Sequence, residues 1–265
     1  TTGANNTAVG KRALHTNTTA SNNVAVGQAA LDACTTGAAN VGVGKDALTE
    51  MTTGTQNVAV GTFAMNNTTT SGNNTAVGYS AMVANSTGGE NTAVGRNALD
   101  ANTTASGNTA MGESALTANT TAVGNTAVGA NSLGSNTTGG TNTAVGKLAL
   151  GANTTASENV AMGTEAMQNT TTGASNVAIG YRAFRTSTTG AQNVAIGLNA
   201  LTANTSANGN TAVGATCLDA NTTGATNTGI GIGALTSCTE GDSNAAVGRS
   251  ALQEVTTGDK NTAIG

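Results

Sequence analysis

Proline and tryptophan are absent from this chain of 265 residues, and two tyrosines and two phenylalanines are its only aromatics. A core of large side chains is therefore excluded, and any interior has to be assembled from Ala, Val and Leu. Charged residues make up 8%, the net charge is −4, and no basic run occurs, so neither nucleic acid nor a membrane surface is an expected partner. No apolar stretch reaches transmembrane length and no signal peptide is recognisable, so no membrane insertion is expected in this segment. The cysteines Cys34, Cys217 and Cys238 lack metal-site spacing and read as small residues in packed columns. The single histidine, His15, has no Ser or Asp arranged around it by any motif. The acids, among them Asp32, Asp46, Asp100, Asp219, Glu90 and Glu158, are scattered. The G-G-x-G-x-D signature of calcium-binding solenoids is missing, and no G-K-[ST] follows a glycine-rich run. The expectation is a chain with no catalytic, cofactor-binding or metal site, no cofactor, and no enzymatic activity.

What is present is one sentence repeated. "NTAVGKLALGANTTASE" (142–158) is followed at once by "NVAMGTEAMQNTTTGAS", with Asn, Ala, Gly, Ala and Thr in the same columns. The glycine ending each A-V-G motif falls at Gly10, Gly27, Gly44, Gly61, Gly78, Gly95, Gly112, Gly129, Gly146, Gly163, Gly180, Gly197, Gly214, Gly231, Gly248 and Gly265, always 17 residues apart. Four residues earlier stands an asparagine: Asn6, Asn23, Asn40, Asn57, Asn74, Asn91, Asn108, Asn125, Asn142, Asn159, Asn176, Asn193, Asn210, Asn227, Asn244 and Asn261. Counting from the glycine, position −1 is Val, Ile or Met, position +3 is Ala apart from Ser132 and Cys217, and position +4 is Leu, Met or Phe184. A Thr-Thr pair such as Thr154-Thr155 closes nearly every unit. A period this regular decides the architecture before any single motif does.

N-[TV]-A-V reads as one short strand, x-x-A-L as a second, the glycine as the bend between them, and T-T-[GA]-x-x as a wider turn. Helix is disfavoured because Gly, Asn and Thr interrupt every unit. An unbroken period suits an all-β parallel β-solenoid of sixteen 17-residue coils, one continuous array over 1–265 in which like residues stack as ladders. The Asn column is expected to form a structural amide ladder and the Gly column a structural bend. In extended strands neighbouring residues point to opposite sides. Ala beside Val, and Ala beside Leu, would then leave a second apolar face, with small residues at −2 (Ala8, Gly42, Ala144, Gly229) allowing close approach of another coil. Self is therefore the expected partner: a homo-oligomer, a trimer in the first instance. The N-x-[ST] sequons at Asn17, Asn85, Asn102, Asn119, Asn136, Asn153, Asn204 and Asn221 would form an outer glycan row in a glycoprotein, but turn chemistry accounts for them as well.

"NVAIGYRAF" (176–184) and "NTAVGRNAL" (91–99) resemble the head repeats of trimeric autotransporter adhesins (the YadA-like head), and more closely the N-T-A-V-G-x-x-A-L arrays of phage tail fibres. The resemblance covers the whole chain, although its unit of 17 is longer than the usual adhesin head unit, the extra residues falling in the T-T-[GA] turn. It implies a left-handed parallel β-roll in a three-chain fibre on the extracellular surface of a virion or bacterium. Any cell-surface or glycan receptor would then be engaged at a tip outside this segment. The chain opens at Thr1 and stops at Gly265 in mid-repeat, which suggests a segment of a longer fibre. Two alternatives stand beside the fibre shaft: a self-assembling extracellular filament, and a Thr-rich ice-binding solenoid. Against the last, the recurring pair is T-T, whose members would point apart if extended, where a flat ice-binding face needs T-x-T.

Overall fold

Asn at −4 and Gly at 0 bracket three residues with strong β character, and in every coil these three form the strand. A computed structural model describes residues 2–265 as an all-β parallel β-solenoid with no helix among them; Thr1, where the sequence opens, lies outside the described residues. The chain divides into two compact units, Thr1–Asn131 and Ser132–Gly265. The first carries β1 (Thr7–Val9), β2 (Val24–Val26), β3 (Val41–Val43), β4 (Val58–Val60), β5 (Thr75–Val77), β6 (Thr92–Val94), β7 (Thr109–Met111) and β8 (Thr126–Val128). The second carries β9 (Thr143–Val145), β10 (Val160–Met162), β11 (Val177–Ile179), β12 (Val194–Ile196), β13 (Thr211–Val213), β14 (Thr228–Ile230), β15 (Ala245–Val247) and β16 (Thr262–Ile264). Within each unit consecutive strands pair in parallel with no slip, Thr7 beside Val24 in the first and Val177 beside Val194 in the second. Each 17-residue unit is thus one coil, stacked like-on-like.

The expected second strand is absent. The x-x-A-L stretch is a run of turns in which positions +2 and +4 both have left-handed backbone, as at Asp46 (φ 55°) and Leu48 (φ 54°). Alternating handedness swings successive peptide planes, so the Asp46 N–H donates back to Gln28 O (2.9 Å) while the Leu48 N–H donates forward to Ala64 O (3.1 Å). Coils are hydrogen-bonded here as closely as in the strands, yet the pattern is not a β ladder. A left-handed L-residue costs roughly 1–2 kcal/mol, and Leu is not a residue that favours it. Complete burial of a Leu side chain returns roughly 1.5–3 kcal/mol, which offsets the strain.

This local conformation corrects the two-face expectation for half of each coil. Ala47 and Leu48 are sequence neighbours and both are fully buried, as are Ala98 and Leu99 or Ala149 and Leu150. With +4 left-handed, side-chain alternation does not apply, and both turn into the coil. The small residues at −2 also face inward: Ala25, Ala59, Ala144 and Ala178 are wholly buried, and a Cβ on Gly42 would meet the Leu31 side chain of its own solenoid. They fit the narrow interior and do not prepare an approach surface for another chain.

Candidate functional site: interior ladders and the outward strand face

The Asn column is interior. Every member from Asn23 to Asn244 is buried, and Asn6 and Asn261 are half-buried. Its chemistry is richer than amide stacking. In the first unit, Asn23 Oδ1 accepts the backbone N–H of Asn40 (2.9 Å) as well as its Nδ2 (3.1 Å), and Asn40 Nδ2 donates to Gly54 O (2.9 Å). The second unit repeats this around Asn176, whose Nδ2 reaches Gly190 O (2.8 Å) and whose Oδ1 accepts the Asn193 N–H (2.9 Å). Asn is required because one short side chain supplies both an acceptor and a donor. Each saturates one buried backbone N–H of the following coil and one carbonyl across its own coil.

The Gly column is a bend that only glycine can make. These residues have φ near +135°, for example Gly163 (+137°), outside what an L side chain adopts. A Cβ there would also sit 2.4 Å from Gly180 O and 2.7 Å from its carbonyl carbon. Strand pairing and the Gly-on-Gly stack demand the same thing at the same atom.

A second interior ladder lies at position +7, the column of the sequons. Asn85, Asn102, Asn119, Asn136, Asn153, Asn204 and Asn221 are fully buried, and Asn17 is half-buried. Asn102 Nδ2 donates to Asn85 Oδ1 (2.9 Å) and to Ala105 O (3.0 Å). No outer glycan row exists among the described residues. Where the column is not Asn it holds Cys34, Met51, Thr68, Thr170, Ser187 or Cys238, all buried, and Val255, half-buried. Cys34 Sγ lies 3.4 Å from Gly37 O in the amide's place, whereas the Thr68 and Thr170 hydroxyls reach no partner. Burial pushes all three thiols upward, Cys217 to about 12, so none is a reactive thiolate at neutral pH. A sequence signal for this ladder existed: no charge ever enters the column.

Outside, the Thr pair divides its labour. Thr35 Oγ1 at +8 donates to Thr52 O (3.2 Å), a bond repeated in most coils, while the +9 threonines stand exposed with their hydroxyls facing water. Ion pairs are superficial. His15 Nδ1 lies 3.5 Å from Asp32, which also pairs with Arg12 at 2.5 Å; Arg182 (2.8 Å) and Arg185 (3.1 Å) flank Glu165; Arg96 pairs with Glu113. The hydrogen bond from Arg182 holds the Glu165 carboxyl below its usual range. The Asp32 beside His15 supplies the partner that no motif announced; Asp32 is buried and His15 exposed, and no cleft surrounds the pair. Among the described residues there is no cavity and no grouping of side chains that could hold a metal ion. No helix among them is long and apolar enough to cross a membrane.

No protein-family model matches the chain, and no curated protein matches it. Its functional surface has to be read from the coils themselves. The strand face provides the strongest feature, because −1 points outward in every strand. Ten of its sixteen Val, Ile and Met side chains are more than a third exposed, as at Val77 (37%), Met111 (44%) and Ile230 (42%), and the other six are half-buried. The apolar outer face expected from the sequence is therefore real on the strand side and absent on the Ala-Leu side.

Proposed function

We propose that this chain is a non-enzymatic structural segment of an extracellular fibre, of the kind found in virion tail fibres and bacterial surface adhesins, in which copies associate side by side. One observation carries the reading. Within each unit the Asn and Gly columns make the same internal bonds and bends in coil after coil, and every strand turns an apolar −1 side chain outward. Such a face suits lateral association, and stability that accumulates by nearest-neighbour terms suits a mechanical spacer. The three-chain, left-handed β-roll implied by the adhesin resemblance is part of this proposal, as is a receptor bound at a tip beyond the segment. Light scattering with electron microscopy of the same sample tests it: thin rods of more than one chain support it, and a monomer at tens of micromolar overturns it. Open-ended filaments would favour the self-assembling filament.

A second reading, contact with ice, rests on the +9 column. Thirteen of its fifteen residues are Thr, with Ser206 and Glu240 the exceptions, although their hydroxyls serve no internal bond. Thermal hysteresis that disappears on Thr→Val replacement along this column would support it. Its absence in the parent chain would remove it.

A further inference from the structure

Charge is sorted by column. Seven of the nine Lys and Arg residues stand just past the glycine bend, Lys11, Lys45, Arg96, Lys147 and Arg249 at +1 and Arg12 and Arg182 at +2. The three acids of these columns are each paired there, Asp46 with Lys45 (3.7 Å), Glu113 with Arg96, and Glu165 with Arg182 (2.8 Å). The wide turn leading into the next strand has the opposite sign: Glu240 at +9, Asp242 and Asp259 at +11, and Glu90 and Glu158 at +12, against Lys260 alone. All five of these acids are exposed, and none forms an ion pair among the described residues; the same is true of Lys11, Lys147 and Arg249. The two sets of columns lie on either side of the strand. Two Cα–Cα steps put +1 within about 7.6 Å of −1, and +12 within the same reach of −3, whatever the bend does. Between them the −3 and −1 columns hold no charge in any coil.

We propose that copies of the chain associate parallel and in register, the basic +1 margin of one lying against the acidic +9, +11 and +12 margin of the next. The inference rests on the side-by-side reading above and adds to it an orientation and a register. Charge complementarity selects them. Rotation about an axis parallel to the array turns the acidic margin of a second copy towards the basic margin of the first and leaves every coil at its own height, for two copies or for three. Lys147 then meets Glu158, a residue of the same coil, and Arg249 meets Asp259 of its own coil, with Asp242 one coil away. An antiparallel pair sets basic margin against basic margin and acid against acid, which like-charge repulsion disfavours. The shared 17-residue period keeps successive coils in step, so that a match made at one rung is kept at the next. Exposed ion pairs add little affinity; their part here is to fix orientation, while the −1 side chains supply the contact.

The test uses the full chain at low ionic strength and reads solution mass against concentration by light scattering. Lys147→Glu makes both margins of that rung acidic, and Glu158→Lys makes both basic. Glu113 already holds the +1 column and Lys260 the +12 column, so the coil itself accepts either charge. Each single variant should weaken association by at least about threefold with the β circular dichroism unchanged, and the double swap, Lys147→Glu with Glu158→Lys, should return it to the parent's strength. Glu50→Lys, an equally exposed acid at +6, away from both margins, should associate like the parent. If Lys147→Glu loses its β signal, Lys147→Thr replaces it, since Thr164 holds the same column in the next coil, and weakening is again expected. An associating parent that either single variant leaves unchanged, or whose double swap stays as weak as the singles, overturns the inference and leaves the fibre reading standing. A monomeric parent overturns both.

Discussion

Replacing Asn176 by Leu removes a side chain of similar size from the middle of the second unit's ladder and leaves two backbone groups stranded. The Asn193 N–H has Asn176 Oδ1 (2.9 Å) as its acceptor, and the Gly190 carbonyl has Asn176 Nδ2 (2.8 Å) as its donor. Both lie in the buried interior, where no water replaces the lost partner. Asn159 Oδ1 keeps the backbone N–H of residue 176 (2.9 Å), and Asn193 Nδ2 keeps Ala207 O (2.9 Å), so the damage stops at two groups. Each buried orphan costs about 1–3 kcal/mol. The greater apolarity of Leu offsets roughly 1 kcal/mol of this. The net loss worked from the bonds is therefore about 1–5 kcal/mol.

Because a repeat array opens locally, the assay has to be local as well as global. Denaturant unfolding should show the loss, and amide hydrogen exchange should place it, with the Asn193 N–H losing more protection than amides several coils away. Asn169→Leu is the control: that amide is exposed and makes no interior bond, so its effect should stay within about 0.5 kcal/mol. If Asn176→Leu matches the control and the Asn193 amide stays protected, the Asn column is a passive spacer and the argument fails.

Four further outcomes are expected. Gly163→Ala should destabilise by about 2–4 kcal/mol, because its φ of +137° excludes a side chain and its Cβ would also press on the Gly180 backbone; Gly173→Ala presses its Cβ on the Gly190 carbonyl as well, but without positive φ and in a column where Ala156 and Ala207 are accommodated, so it should cost less, about 1–2 kcal/mol; equal losses in chemical denaturation would refute the distinction. Thr170→Val should be neutral or stabilise by up to about 2 kcal/mol, since the buried hydroxyl has no partner to lose; a clear drop in Tm would show a bond where none is drawn. Thr216→Gly relieves a β-branched residue at φ 52°, in a column where the next coil has Gly233, and should raise stability by up to about 1 kcal/mol; a fall would mean the Thr216 side chain contributes more than its backbone costs. Glu165 is lowered in the folded chain by its bond from Arg182, so its contribution is present above the carboxylate's unfolded pKa and is lost as pH falls through the lower folded value. Glu165→Gln should accordingly lessen the drop in Tm between neutral and acid pH, and an unchanged pH profile would refute the pairing.

The period, the strand and the two roles of Asn and Gly were legible because each depends on what only one residue type can do. Gly alone takes φ near +135° with a carbonyl against its α carbon, and Asn carries its acceptor and its donor on two separate atoms, so that one side chain reaches the next coil and across its own coil at once. The packing of A-L was not legible, for a physical reason. The sign of φ at Leu48 or Leu99 is opposed by the residue's own preference and is imposed by the stack, so a rule of alternating faces misplaces the side chain.

The +7 column shows the converse. Its Asn residues resemble glycosylation sites only if each unit is read alone, because the local signal N-x-[ST] says nothing about depth. Read down the column, the replacements are Cys, Met, Thr, Ser and Val, never Lys, Arg, Asp or Glu, and all fifteen positions are buried or half-buried in a chain whose exposed columns take charge freely at Lys45, Glu90 and Arg249. A repeat array thus carries its own substitution experiment. Absence of charge accompanies depth but does not prove it, since the −1 column takes only Val, Ile and Met and yet points outward; at +7 the burial itself decides the matter. By the same reasoning the +9 threonines, outward in every coil yet kept Thr in nearly all of them, are conserved along the array by something other than packing depth, and Thr→Val replacement there separates the role of the methyl group from that of the hydroxyl.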